Sequence, residues 1–277
     1  MKKIRFSVDG AVVEVEIDDP GEAERVAALF PTYVLGREGP TAQAVISVRT
    51  DADGGTVRSG DSIERYESRN DLLAAIEFEV NLRLLATQAK YVHLHASGAV
   101  VDGGAVVAVG PSGSGKSNMA MAWHRAGYRL LGDDAILLGN DGRVRGFARL
   151  LKLDDDRAGA FGIEVERTLA FDATYGEIWY DPCDGAGWAT DSVPLRTVAW
   201  VGWTPGASLT VRRLKPAESL NRLFGDLFKT GLEPAEAVPA LALVASQAEL
   251  LEVEFDDAVE AAAVLARVAS ASRDESA

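Results

Sequence analysis

Apolar and polar positions follow two different periodicities along the chain. Residues 4–17 alternate with a period of two on either side of Asp9-Gly10, which predicts a β-hairpin closed by a tight turn. Residues 70–90 instead repeat leucine, isoleucine and valine at helical spacing, which predicts a long amphipathic helix with Asn70 at its N-cap. Further strands are expected at 42–48 and 55–67.

From residue 89 onward, β-rich runs alternate with helical patterns, as is typical of an α/β domain. Strands are predicted at 91–101, 104–110, 129–138, 194–202, 208–214 and 251–255, and helices at 118–126, 216–229, 235–250 and 256–271. We therefore expect a smaller α+β N-terminal lobe over residues 1–88 and an α/β domain over residues 89–277.

One predicted strand is followed by a glycine-rich loop and then by a predicted helix. The loop matches the phosphate-binding pattern G-x-x-x-x-G-K-[ST], and the strand and helix stand where that pattern requires them. Its glycines permit backbone torsions that let successive N–H groups point at phosphate oxygens. The residues predicted to bind phosphate are Gly110, Pro111, Ser112, Gly113, Ser114, Gly115, Lys116, Ser117 and Asn118.

The end of this loop carries the groups that nucleotide chemistry needs. Lys116 is expected to reach the β- and γ-phosphates, and the Ser117 hydroxyl to ligate Mg²⁺. The positive end of the helix dipole adds a favourable potential for an anion. The pattern therefore predicts ATP and Mg²⁺ as cofactors.

Two adjacent carboxylates, Asp133 and Asp134, lie in the next predicted strand after the loop. On a strand they would point to opposite sides, so one could hold the metal while the other acts as a base on an acceptor hydroxyl. We favour Asp134 for the metal and Asp133 for the base, and the sequence leaves the reverse assignment open. His95 precedes the loop and is a further catalytic candidate.

Composition narrows the classes of partner. A formal net charge of −14 argues against nonspecific binding to nucleic acid or to an anionic membrane. One cysteine excludes an internal disulfide, and no stretch of uncharged apolar residues is long enough to span a bilayer.

The first residues lack the apolar run of a signal peptide, so we expect a cytoplasmic protein. A homo-oligomer stays open.

Three stretches together resemble a known family. The run His95-Ala-Ser-Gly-Ala-Val-Val, the loop at 110–117, and the run from Arg125 to Asp134 are similar to the catalytic core of HPr kinase/phosphorylase, and in particular to divergent bacterial HPr-kinase-related proteins. The resemblance is strong over residues 93–138 and weaker at 148–153 and 194–214. It implies a P-loop kinase core of the HPr kinase/PEP carboxykinase type, using ATP and Mg²⁺.

The resemblance also implies residue roles. Lys116 would contact the phosphates, Ser117 the metal, the aspartate pair would supply base and metal ligand, and His95 would lie near phosphate or acceptor. The chain lacks the glycine-rich Glu-Ile-Arg-Gly-Leu-Gly-type signature of true HPr kinases, which argues against HPr as substrate and against phosphorolysis. Arg149 and Lys152 stand in that region, as candidates for stabilising transferred phosphate charge.

The implied acceptor is a serine hydroxyl of a protein or peptide. Some relatives in this family phosphorylate the precursor peptide of a natural product such as a lasso peptide. Two other functions stay open from the sequence: a nucleotide-dependent ATPase or switch, and a silent nucleotide-binding module without a phosphoryl acceptor.

Overall fold

The computed structural model describes residues 1–36, 39–163, 170–172, 177–182, 187–227 and 232–271. The chain forms two compact units. The first contains Met1–Gln88 and Arg149–Asp181, and the second contains Ala89–Ala148 and Pro182–Ala277. The sequence pattern predicts one domain over residues 89–277, whereas the structure groups Arg149–Asp181 with the N-terminal residues.

The first unit is built on a mixed sheet, six-stranded within the described residues and ordered β3-β1-β2-β4-β5-β6. Its strands are β1 (Lys2–Val8), β2 (Ala11–Ile17), β3 (Val34–Leu35), β4 (Ala44–Thr50), β5 (Gly55–Ser59) and β6 (Ser62–Tyr66). The predicted hairpin is present as β1 and β2. Asp9 and Gly10 both take positive φ, 51° and 81°, the torsions that a two-residue hairpin turn requires.

Two helices pack against this sheet, α1 (Pro20–Ala28) and α2 (Arg69–Ala86). The N-cap of α2 is Ser68, not the predicted Asn70. Ser68 has extended torsions, and its Oγ accepts a hydrogen bond from Asp71 N at 3.0 Å. The Asn70 side chain instead accepts a bond from Arg25. The sequence pattern alone does not separate the two positions, because serine and asparagine both cap helices.

The rest of the first unit lies between residues 149 and 181. A three-stranded sheet, within the described residues, has the order β13-β15-β14. Its strands are β13 (Leu151–Asp154), β14 (Ala170–Asp172) and β15 (Glu177–Tyr180), and the helix α4 (Asp155–Ala160) follows β13. Helix α2 contacts both this small sheet and the larger one, so it ties the two parts of the unit together.

The second unit contains a larger mixed sheet, nine-stranded within the described residues. Its strands are β7 (Val92–Leu94), β8 (Ala96–Val101), β9 (Gly104–Val109), β10 (Arg129–Gly132), β11 (Ile136–Leu138), β12 (Arg143–Gly146), β16 (Val193–Trp203), β17 (Thr210–Arg213) and β18 (Glu249–Phe255). The order is β10-β8-β9-β16-β12-β11-β7, with β18 beside β16 and β17 beside β18. β16 runs parallel to both β9 and β18.

The helices of the second unit are α3 (Lys116–Arg125), α5 (Pro216–Gly225), α6 (Pro234–Gln247) and α7 (Ala258–Ala271). Helices α3 and α7 pack together, and Trp123 Nε1 donates to Ala262 O at 3.2 Å. All six residues of β9 are buried, which explains its continuous apolar run. In the described part of the chain, no helix is both long and apolar enough to cross a membrane.

The predicted strand at 129–138 is two strands instead. β10 pairs with β8, whereas β11 pairs with β7 and β12, so the chain changes neighbours between them. The change occurs at Asp133–Ala135, and Asp134 has φ 75°, in the left-handed region that breaks a strand. The two aspartates therefore lie in a bend at the end of β10, and the alternation expected on a strand does not apply to them.

Candidate active site

The glycine-rich loop connects the carboxyl end of β9 to the start of α3. Gly110, Gly113 and Gly115 all take positive φ, at 144°, 80° and 94°, which confirms the expectation that the loop needs glycine torsions. The space is also restricted at two of them. A Cβ on Gly110 would lie 2.9 Å from Ser114 Oγ, and one on Gly115 would lie 2.8 Å from Phe255 Cζ.

Lys116 points back into the loop that precedes it. Its Nζ donates to Gly110 O at 2.7 Å and to Pro111 O at 3.0 Å, and the residue is only 5% exposed. Burial lowers the pKa of its ammonium, while the carboxylates of Asp134, Asp133 and Asp226 act in the opposite direction. The cation therefore sits inside the loop with three carboxylates acting on its charge.

The start of α3 offers unfilled polar positions. Its N-cap is Gly115, which has no side chain to cap the first N–H groups of the helix. Ser97 Oγ donates to Lys116 O at 2.8 Å and so ties this turn to β8. Among the described residues, the buried Ser114 Oγ and Asn118 Oδ1 have no hydrogen-bond partner. The Ser114 hydroxyl could donate to a phosphate oxygen, and a metal-bound water could donate to Asn118 Oδ1.

Two of the predicted catalytic residues are brought together beside the bend. His95 Nε2 lies 3.5 Å from Asp134 Oδ1. Ala96 N donates to Asp134 O at 3.3 Å, so the backbone at Asp134 is held to the start of β8. The two aspartates differ in environment: Asp133 is 5% exposed, whereas the side chain of Asp134 is 40% exposed. The left-handed torsion at Asp134 turns the two residues into these different surroundings.

Asp226, just beyond the end of α5, is a site residue that sequence reasoning missed. His95 N donates to Asp226 O at 2.7 Å, and Trp200 Nε1 donates to Asp226 Oδ2 at 2.9 Å. Burial raises the pKa of its carboxyl, and the Trp200 bond and the charges of His95 and Lys116 reduce that rise without reversing it. No local pattern marks Asp226, since only the fold brings it to the loop.

Arg149 and Lys152 belong to the first unit, where both contact Glu77 of α2. Arg149 Nε lies 2.6 Å from Glu77 Oε1, and Lys152 Nζ lies 3.2 Å from Glu77 Oε2. Lys152 Nζ is also 4.8 Å from the centre of the Trp179 ring. These contacts account for both cations without a phosphate, so their contact with transferred phosphate stays a prediction.

The comparisons with known proteins add little to this geometry. No protein-family model matches the chain, and no curated protein matches it. Among solved structures, the chain is similar to the Hpr(Ser) kinase/phosphatase from Coxiella burnetii, with a TM-score of 0.33 and 12% identity, over 66% of this chain and 97% of that chain. So loose a similarity does not establish a shared fold, and the site must be judged on its own residues.

The residues at the loop would fit a magnesium nucleotide, which requires few metal ligands from the protein. Among the described residues, no group of three or more histidine, cysteine, aspartate or glutamate side chains is arranged to hold a metal. Mg²⁺ commonly takes only one or two protein oxygens and completes its shell with phosphate and water. Ser117 and Asp134 would supply such a small set, and the loop would hold the phosphates.

Proposed function

We propose that the chain is an ATP-dependent kinase that transfers the γ-phosphoryl group to a serine-type hydroxyl of a protein or peptide. The position of Lys116 carries the proposal, because its ammonium lies in a phosphate-type loop with Asp133, Asp134 and Asp226 acting on it. Nucleotide binding needs the lysine and one carboxylate that holds the metal. Transfer to a hydroxyl also needs a group that receives the proton.

The loop residues have the task of holding the phosphates. Backbone N–H groups of the loop and of the first turn of α3 would donate to phosphate oxygens, and the Ser114 hydroxyl has a free hydrogen-bonding position among the described residues. Lys116 would exchange the carbonyls of Gly110 and Pro111 for phosphate oxygens. When bound, Mg·ATP supplies the transferable phosphoryl group and neutralises its charge.

The acid groups have the remaining tasks. Asp134 would hold the metal together with Ser117, and His95 would fix the orientation of Asp134. Asp133 would accept the proton of the acceptor hydroxyl while the acceptor oxygen bonds to phosphorus and ADP leaves with the electrons of the broken bond. Asp226 would hold His95 in place through its backbone carbonyl.

The acceptor is proposed from chemistry and from the resemblance over residues 93–138. A serine hydroxyl needs a base, which the aspartate pair can provide. The precursor peptide of a natural product such as a lasso peptide is the acceptor class that the resemblance favours.

The test is to incubate the protein with labelled ATP, Mg²⁺ and a panel of serine-containing peptides, and to measure phosphopeptide, ADP and free phosphate separately. The proposal expects phosphopeptide and ADP in equal amounts. Free phosphate alone would identify an ATPase, and neither product would indicate a silent nucleotide-binding module.

The matched pair of variants is Lys116→Ala and Lys215→Ala. Lys215 is an exposed lysine of the same unit, at the N-cap of α5, where its side chain makes no capping bond. We expect turnover to be lost in the first variant and kept in the second. Equal turnover in both would remove the basis of the proposal.

A further inference from the structure

An exposed tryptophan stands beside the glycine-rich loop and has no role in the chemistry described above. Trp203 is the last residue of β16, and 45% of its surface is exposed. Large aromatic side chains gain much of their stabilisation from burial, so a half-exposed indole next to a ligand-binding loop calls for an explanation.

The backbone of Trp203 is bonded directly to the loop. Trp203 N donates to Ser114 O at 3.0 Å, and the next residue, Thr204, donates its N–H to Phe255 O at 2.8 Å. A Cβ placed on Gly115 would lie 3.2 Å from Trp203 Cβ. The Cβ of Trp203 therefore lies close to the turn that leads into Lys116.

The ring itself is also held in place. Trp203 Nε1 donates to Asp256 O at 3.1 Å, so the polar edge of the indole is satisfied by the protein. Phe255 packs against the same glycine but is fully buried. Of these two aromatic residues, Phe255 completes the core and Trp203 presents surface to solvent. A ring fixed at its edge loses little entropy when a flat partner covers its face.

We propose that Trp203 is the stacking platform for the aromatic base of the nucleotide whose phosphates occupy the loop. This inference rests on the proposed function, because it assumes a nucleoside triphosphate at the loop. The base and the triphosphate belong to one ligand, so an aromatic surface bonded to the phosphate-binding turn is positioned for the other end of that ligand. Stacking uses the π-face and leaves the bond from Nε1 to Asp256 intact.

The occupant that the geometry favours is a nucleobase. Trp203 adjoins the loop through Ser114 and Gly115, and the loop matches a nucleotide-binding pattern. A second copy of the chain would have to cover the indole without blocking the loop beside it. Every base has a π-face, so stacking alone would accept any base. We expect purines to bind more tightly than pyrimidines because their ring area is larger.

The experiment compares two ligands, Mg·ATP and magnesium tripolyphosphate, which share the phosphate chain and differ in the nucleoside. Binding is measured by calorimetry for the parent, Trp203→Leu and Trp203→Phe. Leucine removes the aromatic face, whereas phenylalanine restores a smaller face but not the Nε1 donor. Tyr128→Leu is the matched control, since Tyr128 is a half-buried aromatic residue beyond the opposite end of α3.

We expect Trp203→Leu to weaken ATP binding by about tenfold, the equivalent of about 1.4 kcal/mol, and to leave tripolyphosphate binding unchanged. Trp203→Phe should recover most of the loss, and Tyr128→Leu should bind both ligands like the parent. ATP, but not tripolyphosphate, should quench the tryptophan emission of the parent more than that of Trp203→Phe.

Unchanged ATP affinity in Trp203→Leu would overturn the inference and leave the proposed function standing. An equal loss for ATP and tripolyphosphate would also overturn it, because Trp203 would then only support the loop. A change in oligomeric state with normal ATP binding would show that a second copy covers the ring. If the parent binds neither ligand, the proposed function and the inference both fail.

Discussion

The buried charge cluster around Glu77 gives the sharpest test of the first unit. Glu77 is 2% exposed, and its two carboxylate oxygens are shared between Arg149 and Lys152. Arg149 also donates from its second nitrogen, at 3.2 Å to Oε2, so that contact is bidentate. Glu77→Gln keeps the shape of the side chain and removes its charge.

The size of the effect follows from what the substitution leaves behind. Two cations would remain beside a neutral amide in a buried position, and removing one partner of a buried ion pair costs about 3–5 kcal/mol. We expect Glu77→Gln to lose about this much free energy of unfolding, since the guanidinium and the ammonium lose the same partner. Replacing all three residues with apolar ones should cost less than this single change, because no charge is then left unpaired.

The pH dependence of stability gives a second readout. Burial alone would raise the pKa of Glu77, but the attraction of Arg149 and Lys152 and their hydrogen bonds outweigh it and hold the pKa below its usual 4.5. A carboxyl with a lowered folded-state pKa stabilises the fold above the unfolded value, and this contribution is lost as the pH falls through the folded value. In Glu77→Gln, the free energy of unfolding should therefore lack the part of its decrease at acid pH that protonation of Glu77 causes.

Urea unfolding is the assay, followed by tryptophan emission and by circular dichroism. Trp179 lies within the cluster and reports on this unit. A loss below about 1 kcal/mol in Glu77→Gln would refute the reasoning, because exposed ion pairs are worth about that much or less. Arg149→Met and Lys152→Met should destabilise the unit as well. If they also abolish ATP turnover in folded protein, the predicted contact with phosphate gains support.

Four further outcomes concern the second unit. Lys116→Ala should lose most ATP-dependent turnover while circular dichroism shows an intact fold. Ser117→Ala should need more Mg²⁺ for ATP binding by calorimetry; equal affinity with and without metal in the parent would contradict this. Asp133→Asn and Asp134→Asn should each lower turnover, the base variant by about 10²–10⁴-fold with normal Mg·ATP binding. Asp226→Asn should be more stable to urea than the parent at neutral pH, because a raised carboxyl pKa makes ionisation costly in the fold, and this difference should vanish at acid pH.

The sequence was informative wherever neighbouring residues decide the structure. The torsions of the loop glycines, the buried strand β9 and the hairpin at Asp9-Gly10 are each fixed within a few residues, and all three are observed. Prediction from sequence also fails for one feature that neighbouring residues decide, the N-cap of α2. Ser68 and Asn70 are both capping residues, and the structure uses Ser68 as the cap while Asn70 accepts a hydrogen bond from Arg25.

The remaining features depend on contacts between distant parts of the chain. Asp133 and Asp134 interrupt a run that is apolar on both sides, and the bend there follows from β10 and β11 pairing with different strands. Asp226 reaches His95 only because the residues after α5 pair with the end of β7. Arg149 and Lys152 contact Glu77, which lies far earlier in the chain. Their buried partner therefore could not be inferred from their own segment.

The parallel strands β9, β16 and β18 also set the order in which the loop can be completed during synthesis. Parallel neighbours cannot be joined by a tight turn, and here β16 and β18 follow β9 only after long intervening segments. The ribosome adds about 5–20 residues per second, so the loop emerges several seconds before Trp203 and Phe255, which hold it from the other side. During that interval β9 has its antiparallel partner β8 but lacks β16 on its other edge, and an unpaired apolar edge of this kind exposes the nascent chain to aggregation.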